Sequence, residues 1–491
     1  MLSELHLARA SEEAFERLGD YDSLCFDGEW LRSGVLFDRA ARLAEGLRRL
    51  GVEPGGRVVV LMANCPEVGI VYEAIWRAGA VATPAIFLLP PAELAHIVSD
   101  SGADVILASP ELADNAREAA DGATVVTTDA FSWLEECDPG EIVARAPSDP
   151  AALLYTGGTT GRAKGVLLSH ENLWFAGKSG HESGHLPHIV RGLLALPLSH
   201  AYGLLVTVVA LHAEEPHPTV LMRWFDPQRF LELAQEHRTQ ITAVVPSMLQ
   251  LLLALPVEEY DLSELRYIVS GGAPLPPETA EQVLRRLPQV EIREGYGLTE
   301  TAALVSSTPP GQARLGSVGK AAPGVEVRID GEGDVGEICV RSPSVMLGYW
   351  GAPELTAETI RDGWLYTGDL GRLDEDGYIY VVDRKKDLII RGGFNVFPRD
   401  VEEALLEHPA VAAAGVVGRP DDVHGEEVVA YVELRSGHEV DADALIGFCK
   451  ERIGGYKYPR EVHVVPSLPL TPVGKVDRKA LRSRILEEAT A

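Results

Sequence analysis

Between positions 155 and 165 the chain reads Tyr-Thr-Gly-Gly-Thr-Thr-Gly-Arg-Ala-Lys-Gly, residue types suited to gripping a phosphate. Gly157 and Gly158 let successive backbone N–H groups converge on an anion. Thr156, Thr159 and Thr160 add hydroxyl donors, and Arg162 and Lys164 add positive charge. The ligand this implies is a nucleoside triphosphate. A plain turn after a strand has much the same composition, so the loop alone leaves both readings open. It is not the P-loop pattern, in which the lysine is followed by Ser or Thr and opens a helix. Here Gly165 follows Lys164, and the apolar run over 166–170 is too short for a helix.

An apolar run over 151–154 feeds the loop, and the elements before it set the frame. Leu36, Ala40, Leu43, Leu47 and Leu50 fall on one helical face, Gly51 supplies a stop, and residues 57–61 read as a buried strand. The rhythm repeats as helix over 68–78, strand over 80–84, helix over 93–100 and strand over 103–107. Such alternation implies parallel sheets covered by helices, with ligands beyond the carboxyl ends of the strands. The 155–165 loop lies at one such end, and Ser270-Gly-Gly-Ala-Pro274, after the strand-like 266–269, lies at another. Near residue 386 the character changes. Arg384, Lys385, Lys386, Arg391, Gly392 and Gly393 crowd together in an otherwise acidic chain, ahead of a small α+β pattern, which suits a hinge or a solvated turn.

At 491 residues the chain has room for roughly two to four domains. Its composition, 46% hydrophobic and 24% charged, is that of a soluble globular protein. The net charge of −29 repels nucleic acid and anionic membranes, so a polyanionic ligand needs a local cationic site. Nucleic-acid and membrane partners are not expected. The 5 cysteines are scattered without a paired motif, which fits a reducing compartment rather than a disulfide framework or zinc site. No run approaches the ~18 apolar residues of a spanning helix, and neither terminus carries a targeting signal; a cytoplasmic location is expected.

With five further segments in matching order, the loop resembles the signature of the adenylate-forming superfamily: acyl-CoA synthetases, firefly luciferase and nonribosomal-peptide adenylation domains. The resemblance covers essentially the whole chain. It implies an α/β fold with a large N-terminal domain of parallel-rich sheets covered by helices, residues 1–385, and a small mobile α+β C-terminal domain, residues 386–491. In Gly295-Tyr-Gly-Leu-Thr-Glu300 it implies that Tyr296 stacks on adenine, Thr299 touches the α-phosphate and Glu300 holds magnesium. Gly272, Ala273 and Pro274 would form the other wall of the adenine pocket. In Tyr366-Thr-Gly-Asp369, Asp369 would accept both ribose hydroxyls, reinforced by Arg384. Lys386 falls at the family's pivot, and Gly392, Gly393 and Asn395 match the loop lining the pantetheine tunnel. Pro469-Leu-Thr-Pro-Val-Gly-Lys475 resembles the segment that presents the catalytic lysine, so Lys475 joins Thr299 and Glu300 as the catalytic set. Two positions depart from the family pattern. Gly157 replaces a usual serine and Ala163 a usual proline, which predicts slower or weaker handling of the triphosphate.

The resemblance thus implies a ligase using ATP, magnesium and coenzyme A on a small carboxylic acid. Leu196-Pro-Leu-Ser-His200 resembles the segment of acyl-CoA synthetases that bears the pocket histidine, and no aspartate for an amino-acid substrate accompanies it. Tyr202, Gly271, Gly297, Ala303 and Leu304 match the pocket of 4-coumarate–CoA ligases. That favours a hydroxycinnamate such as ferulate, with a medium- or long-chain fatty acid as the alternative. Two other readings stand beside it: loading of a carrier protein in place of CoA, and a nucleotide sensor without catalysis. A homodimer is compatible with the sequence. His181, His185 and His188 have near-helical spacing, but the glycines and a proline of this stretch are expected to interrupt any helix, leaving an exposed cluster without a metal.

Overall fold

The computed structural model describes residues 5–156, 163–471 and 476–488. The chain divides into two compact units. One comprises Met1–Val327, Val340–Tyr366 and Asp374–Ile379, and the other Arg328–Cys339, Thr367–Leu373 and Tyr380–Ala491.

The first unit is built on two large sheets. A seven-stranded sheet runs in the order Gly348–Tyr349, Lys164–Ser169, Pro150–Thr156, Val81–Pro84, Arg57–Leu61, Val105–Ala108, Thr124–Thr127. Its last five strands are mutually parallel, and only the Lys164–Ser169 and Gly348–Tyr349 edge turns antiparallel. Val58, Val59 and Val60 are wholly buried, as expected for β-branched strands covered on both faces. The helix Ser33–Arg49 turns Ala40, Leu43, Ala44 and Leu47 inward. The helix Pro66–Arg77 starts on a proline whose missing N–H costs nothing at that position. The expected helix and strand rhythm over 36–107 is therefore present, with ends shifted by a residue or two.

A nine-stranded sheet runs from Lys320–Ala321 through Ser306–Ser307, Glu291–Tyr296, Tyr267–Ser270, Ile241–Val244, Gly192–Leu194, Thr219–Leu221 and Asp22–Phe26 to Glu29–Arg32. Tyr267–Ser270 lies parallel to both Ile241–Val244 and Glu291–Tyr296, so the segments after Ser270 and Tyr296 leave neighbouring strands at the same end. Val244, Leu249, Phe230 and Ile268 centre its core.

One helix corrects the sequence reading. His170–Gly184 is continuous through Gly177 and Gly180, so His181 is helical and His185 caps the end. The glycines serve packing: a Cβ at Gly177 would lie 2.5 Å from the Val208 carbonyl oxygen, and one at Gly180 would lie 2.8 Å from Val209 Cγ2. Contact with the helix Ala201–Ala210 outweighs the ~1 kcal/mol propensity cost of each glycine.

In the second unit a five-stranded sheet has the order Phe394–Val396, Ile389–Arg391, Gly425–Leu434, Val411–Asp421, with Glu461–Val465 also paired to Gly425–Leu434. Val401, Leu405, Val416, Leu445 and Cys449 fill its core. The terminal helix Arg478–Glu488 docks through Leu481 and Ile485 beside Val417, Val429 and Leu468. All 5 cysteines are free and buried. No described helix is long and apolar enough to cross a membrane.

Candidate active site

The strands Pro150–Thr156 and Lys164–Ser169 form a hairpin in which Thr156 stands opposite Lys164. The two residues that flank the glycine loop are thus side by side at the carboxyl end of a parallel strand. Gly157, Gly158, Thr159, Thr160 and Arg162 lie outside the described residues. Across the other edge, Tyr349 pairs with Val166 and Trp350 N–H donates to the Gly165 carbonyl at 2.8 Å. The Lys164 ammonium sits 5.7 Å from the centroid of the Tyr349 ring.

Beyond Ser270 the backbone turns at once, with Gly271 N–H donating to the Val244 carbonyl at 3.2 Å and Gly272 at φ +80. Ala273 and Pro274 follow, leaving the strand end beside that of Tyr296. After Tyr296 the chain doubles back so tightly that a Cβ at Gly297 would lie 2.1 Å from the Ala303 carbonyl oxygen. Ala302 and Ala303 are left-handed, at φ 49 and 68. Such residues cost about 1–3 kcal/mol each and persist where the surroundings hold them. Ala303 N–H donates to Leu298 O and Val305 N–H to Tyr296 O, each at 2.8 Å. The strained loop presents Thr299 and Glu300 on the short turn Thr299–Thr301, both half-buried like Tyr296. The Tyr349 hydroxyl donates to Glu300 Oε1 at 2.8 Å, and Met346 N–H to the Glu300 carbonyl at 2.9 Å. Among the described residues Glu300 forms no ion pair. A half-buried carboxylate whose one partner is a hydroxyl is a donor set that suits a hard cation such as magnesium.

His200 caps the helix Ala201–Ala210, its Nδ1 accepting from Tyr202 N–H at 3.2 Å, which places its ring proton on Nε2. Tyr202 is half-buried, and its hydroxyl donates to the Val269 carbonyl at 3.3 Å. Burial pushes this phenol well above its ordinary pKa. A Cβ at Gly271 would lie 3.3 Å from the Tyr202 ring, so Tyr202 and Gly271 are adjacent. Leu304, next to Ala303, is buried, and its Cδ2 approaches Gly180. Tyr202 thus lies in the first turn of the helix Ala201–Ala210, with Gly271 and the Gly297 to Leu304 loop just beyond neighbouring strand ends.

In the second unit Asp369 is 5% exposed, and Arg384 Nε stands 3.3 Å from its Oδ1. The turn is braced by Thr367, which accepts from Asp369 N–H at 3.1 Å and donates to the Ile338 carbonyl at 2.7 Å. Glu337 adds a second brace that sequence reading missed: it accepts Gly368 N–H at 3.0 Å and the Lys385 ammonium at 2.9 Å. Lys386 follows on the surface. Gly392 and Gly393, at φ 56 and 82, join Ile389–Arg391 to Phe394–Val396 in a two-residue turn that demands left-handed backbone, and Asn395 is exposed beside it. Lys475 lies outside the described residues. Tyr349 was missed as well, because it meets Glu300 through strand pairing across 49 positions and no local spacing announces it.

His181 and His185 rings lie 4.7 Å apart and His188 is exposed, and among the described residues these three do not converge as metal ligands. Asp421, His424 and Glu427 do bring ligating atoms together, but Glu427 is already held by Arg391, with Nη2 at 3.0 Å from Oε2.

Comparison with known proteins shows the family. Residues 11–350 match the AMP-binding enzyme family, and residues 400–475 match the AMP-binding enzyme C-terminal domain. The chain is 38% identical over 468 residues to feruloyl-CoA synthase from Amycolatopsis sp, covering 93% of this chain and 94% of the relative. It is 33% identical over 533 residues to a long-chain-fatty-acid–CoA ligase of Bacillus subtilis, covering 96% and 93%. Among solved structures, o-succinylbenzoate coenzyme A synthetase from Bacillus subtilis in complex with ATP and magnesium ion superimposes with a TM-score of 0.85. It shares 30% identity with this chain, across 97% of this chain and 99% of that one. With both family segments matched in order and relatives aligned nearly end to end, the chain belongs to the AMP-binding, adenylate-forming family of enzymes.

Proposed function

We propose that the protein is an ATP-dependent acid–CoA ligase acting on a hydroxycinnamate such as ferulate. In the first half-reaction the acid carboxylate attacks the α-phosphorus of ATP, forming acyl-adenylate and releasing pyrophosphate. In the second the CoA thiol attacks the acyl carbonyl, forming the thioester and releasing AMP. Carboxylate and triphosphate repel each other, so the first step is governed by where cations and N–H donors are set. Lys475 would bridge the carboxylate and the α-phosphate, and Thr299 would donate to that phosphate. The loop from Thr156 to Lys164 would hold the β- and γ-phosphates. Tyr296 and the 272–274 segment would flank adenine, and Asp369, oriented by Arg384, would accept the ribose hydroxyls. Glu300 would hold magnesium, which when bound supplies charge neutralisation for the departing pyrophosphate. For the second step the C-terminal domain, residues 386–491, would turn about Lys386, withdrawing Lys475 and bringing Gly392, Gly393 and Asn395 to the thiol's path.

The observation that carries the choice of acid is the Tyr202 hydroxyl. Its proton is already given to the Val269 carbonyl, so it has lone pairs to offer and no donor. The phenolic O–H of ferulate or coumarate meets that requirement, and the methyl end of an alkyl chain does not. The small residues Gly271, Gly297 and Ala303 suit a flat ring, and the 38% identical feruloyl-CoA synthase supports the same reading. A panel of acids assayed for AMP release with free CoA tests it. Ferulate and coumarate are expected to lead, and Tyr202→Phe to cut kcat/KM for them about tenfold, the worth of one hydrogen bond, while cinnamate without the hydroxyl falls less. Preference for decanoate over ferulate overturns the aromatic reading in favour of a fatty acyl ligase, and turnover only with a carrier protein overturns CoA.

A further inference from the structure

We infer that Tyr349 is a positioning residue for the cation site: its hydroxyl fixes the Glu300 carboxylate in the orientation that receives the metal accompanying ATP. This rests on the reading of Glu300 as the carboxylate that holds the cation.

Tyr349 is held on several sides before it reaches Glu300. It pairs with Val166 on the strand that begins at Lys164, and its N–H donates to Thr356 Oγ1 at 2.9 Å. Gly348, at φ 150, lets the strand lie against the helix Pro353–Thr359, since a Cβ there would be 2.8 Å from Thr356 Cγ2. The segment is also tied directly to the carboxylate's own backbone, Met346 N–H donating to the Glu300 carbonyl at 2.9 Å. From this anchored position the hydroxyl donates to Glu300 Oε1 at 2.8 Å. One O–H occupies one lone-pair site. Oε2 and the second lone pair of Oε1 remain for a cation, so the bond orients the carboxylate without blocking it. A group that locks the rotamer of a ligating carboxylate removes the entropy its ligand would otherwise lose on binding metal.

The face of the same ring is turned to the Lys164 ammonium, 5.7 Å from its centroid. A single side chain therefore touches the acidic residue expected to hold the cation and the basic residue that closes the triphosphate loop.

The test is Tyr349→Phe, which keeps the ring facing Lys164 and removes only the oxygen. Manganese(II) binding to the complex of full-length protein with a non-hydrolysable ATP analogue is titrated by electron paramagnetic resonance. Binding of the analogue without metal, in chelator, is measured by calorimetry, with Glu300→Gln in parallel. Manganese is expected to bind about tenfold more weakly to Tyr349→Phe, as for loss of one hydrogen bond to a charged group. Metal-free nucleotide affinity is expected to stay within about twofold, and raised metal concentration to restore turnover. Unchanged or tighter manganese binding in Tyr349→Phe, with Glu300→Gln impaired, overturns the inference and leaves the role of Glu300 standing. Equal loss with and without metal also overturns it, since that marks a merely structural residue. Manganese binding that is indifferent to Glu300→Gln removes both readings.

Discussion

Glu402 in the C-terminal unit receives Arg478 Nη2 at 2.6 Å, Arg478 Nη1 reaches Asp387 at 3.5 Å and Asp383 at 3.9 Å, and Arg482 takes Asp387 Oδ1 at 2.8 Å. Glu300 in the N-terminal unit has the Tyr349 hydroxyl at 2.8 Å and, among the described residues, no cation. In the first region the chain supplies its own countercharges. Burial opposes the charge of Arg478, but Glu402 and Asp383 push its pKa above the ordinary guanidinium value. In the second region the charge is left for something else to satisfy. The difference separates a carboxylate that holds a helix in place from one that we propose holds a ligand. Asp369 combines features of both, buried and ion-paired but facing an arginine whose own side chain is 47% exposed.

Substitutions should split the two regions cleanly. Arg478→Ala takes the countercharge from Glu402 and Asp383 and leaves Asp387 to Arg482 alone, and it is expected to destabilise the C-terminal unit by about 3–5 kcal/mol, read as a lowered denaturant midpoint. Glu300→Gln should do the opposite. Its ATP–pyrophosphate exchange falls on the order of a hundred- to a thousandfold, about 2.7–4 kcal/mol of transition-state stabilisation, with the denaturant midpoint little moved. A large loss of stability in Glu300→Gln, or none in Arg478→Ala, would erase the distinction.

A third arrangement, buried and uncharged, sharpens it further. His6 and His170 stack with ring centroids 4.1 Å apart, 3% and 0% exposed, and both cap one helix start. Ala8 N–H donates to His6 Nδ1 at 3.2 Å and Leu7 N–H to His170 Nδ1 at 3.4 Å. Burial, and for each the nearby positive charge of Arg145, lowers His6 to about 4 and His170 to about 2. Because the folded values lie below the unfolded 6.5, the unfolded chain takes up protons first. Stability is therefore full above that pH and declines as pH falls toward 4 for His6 and on toward 2 for His170. Denaturation at stepped pH should show this slope, and His170→Asn, which keeps an acceptor near Nδ1 but cannot titrate, should flatten part of it.

Much of the frame was legible in the chain because burial imposes a period. The stripe Leu36, Ala40, Leu43, Leu47 marks the helix Ser33–Arg49, and the valines after Arg57 mark a doubly covered strand. The strand-like run over 266–269 then placed Ser270 to Pro274 at a strand end, whereas Tyr296 to Glu300 was found only through the family resemblance. What escaped depends on distant contacts. Gly177 and Gly180 read as helix breakers until the Val208 carbonyl and Val209 are seen pressed against them. Tyr349 and Glu337 gain their meaning only from partners brought in by strand pairing, Glu300 and the Gly368 turn. The paired left-handed alanines, Ala302 and Ala303, carry no residue-type signal, since alanine does not favour that region.

The reading as a two-step ligase turns on Lys475, and the direct measurement is Lys475→Ala assayed in each half-reaction separately. Acyl-adenylate formation, followed by ATP–pyrophosphate exchange, should be lost, while conversion of supplied acyl-adenylate and CoA to thioester and AMP proceeds near the wild-type rate. Equal loss in both halves, or exchange that survives the substitution, would contradict it.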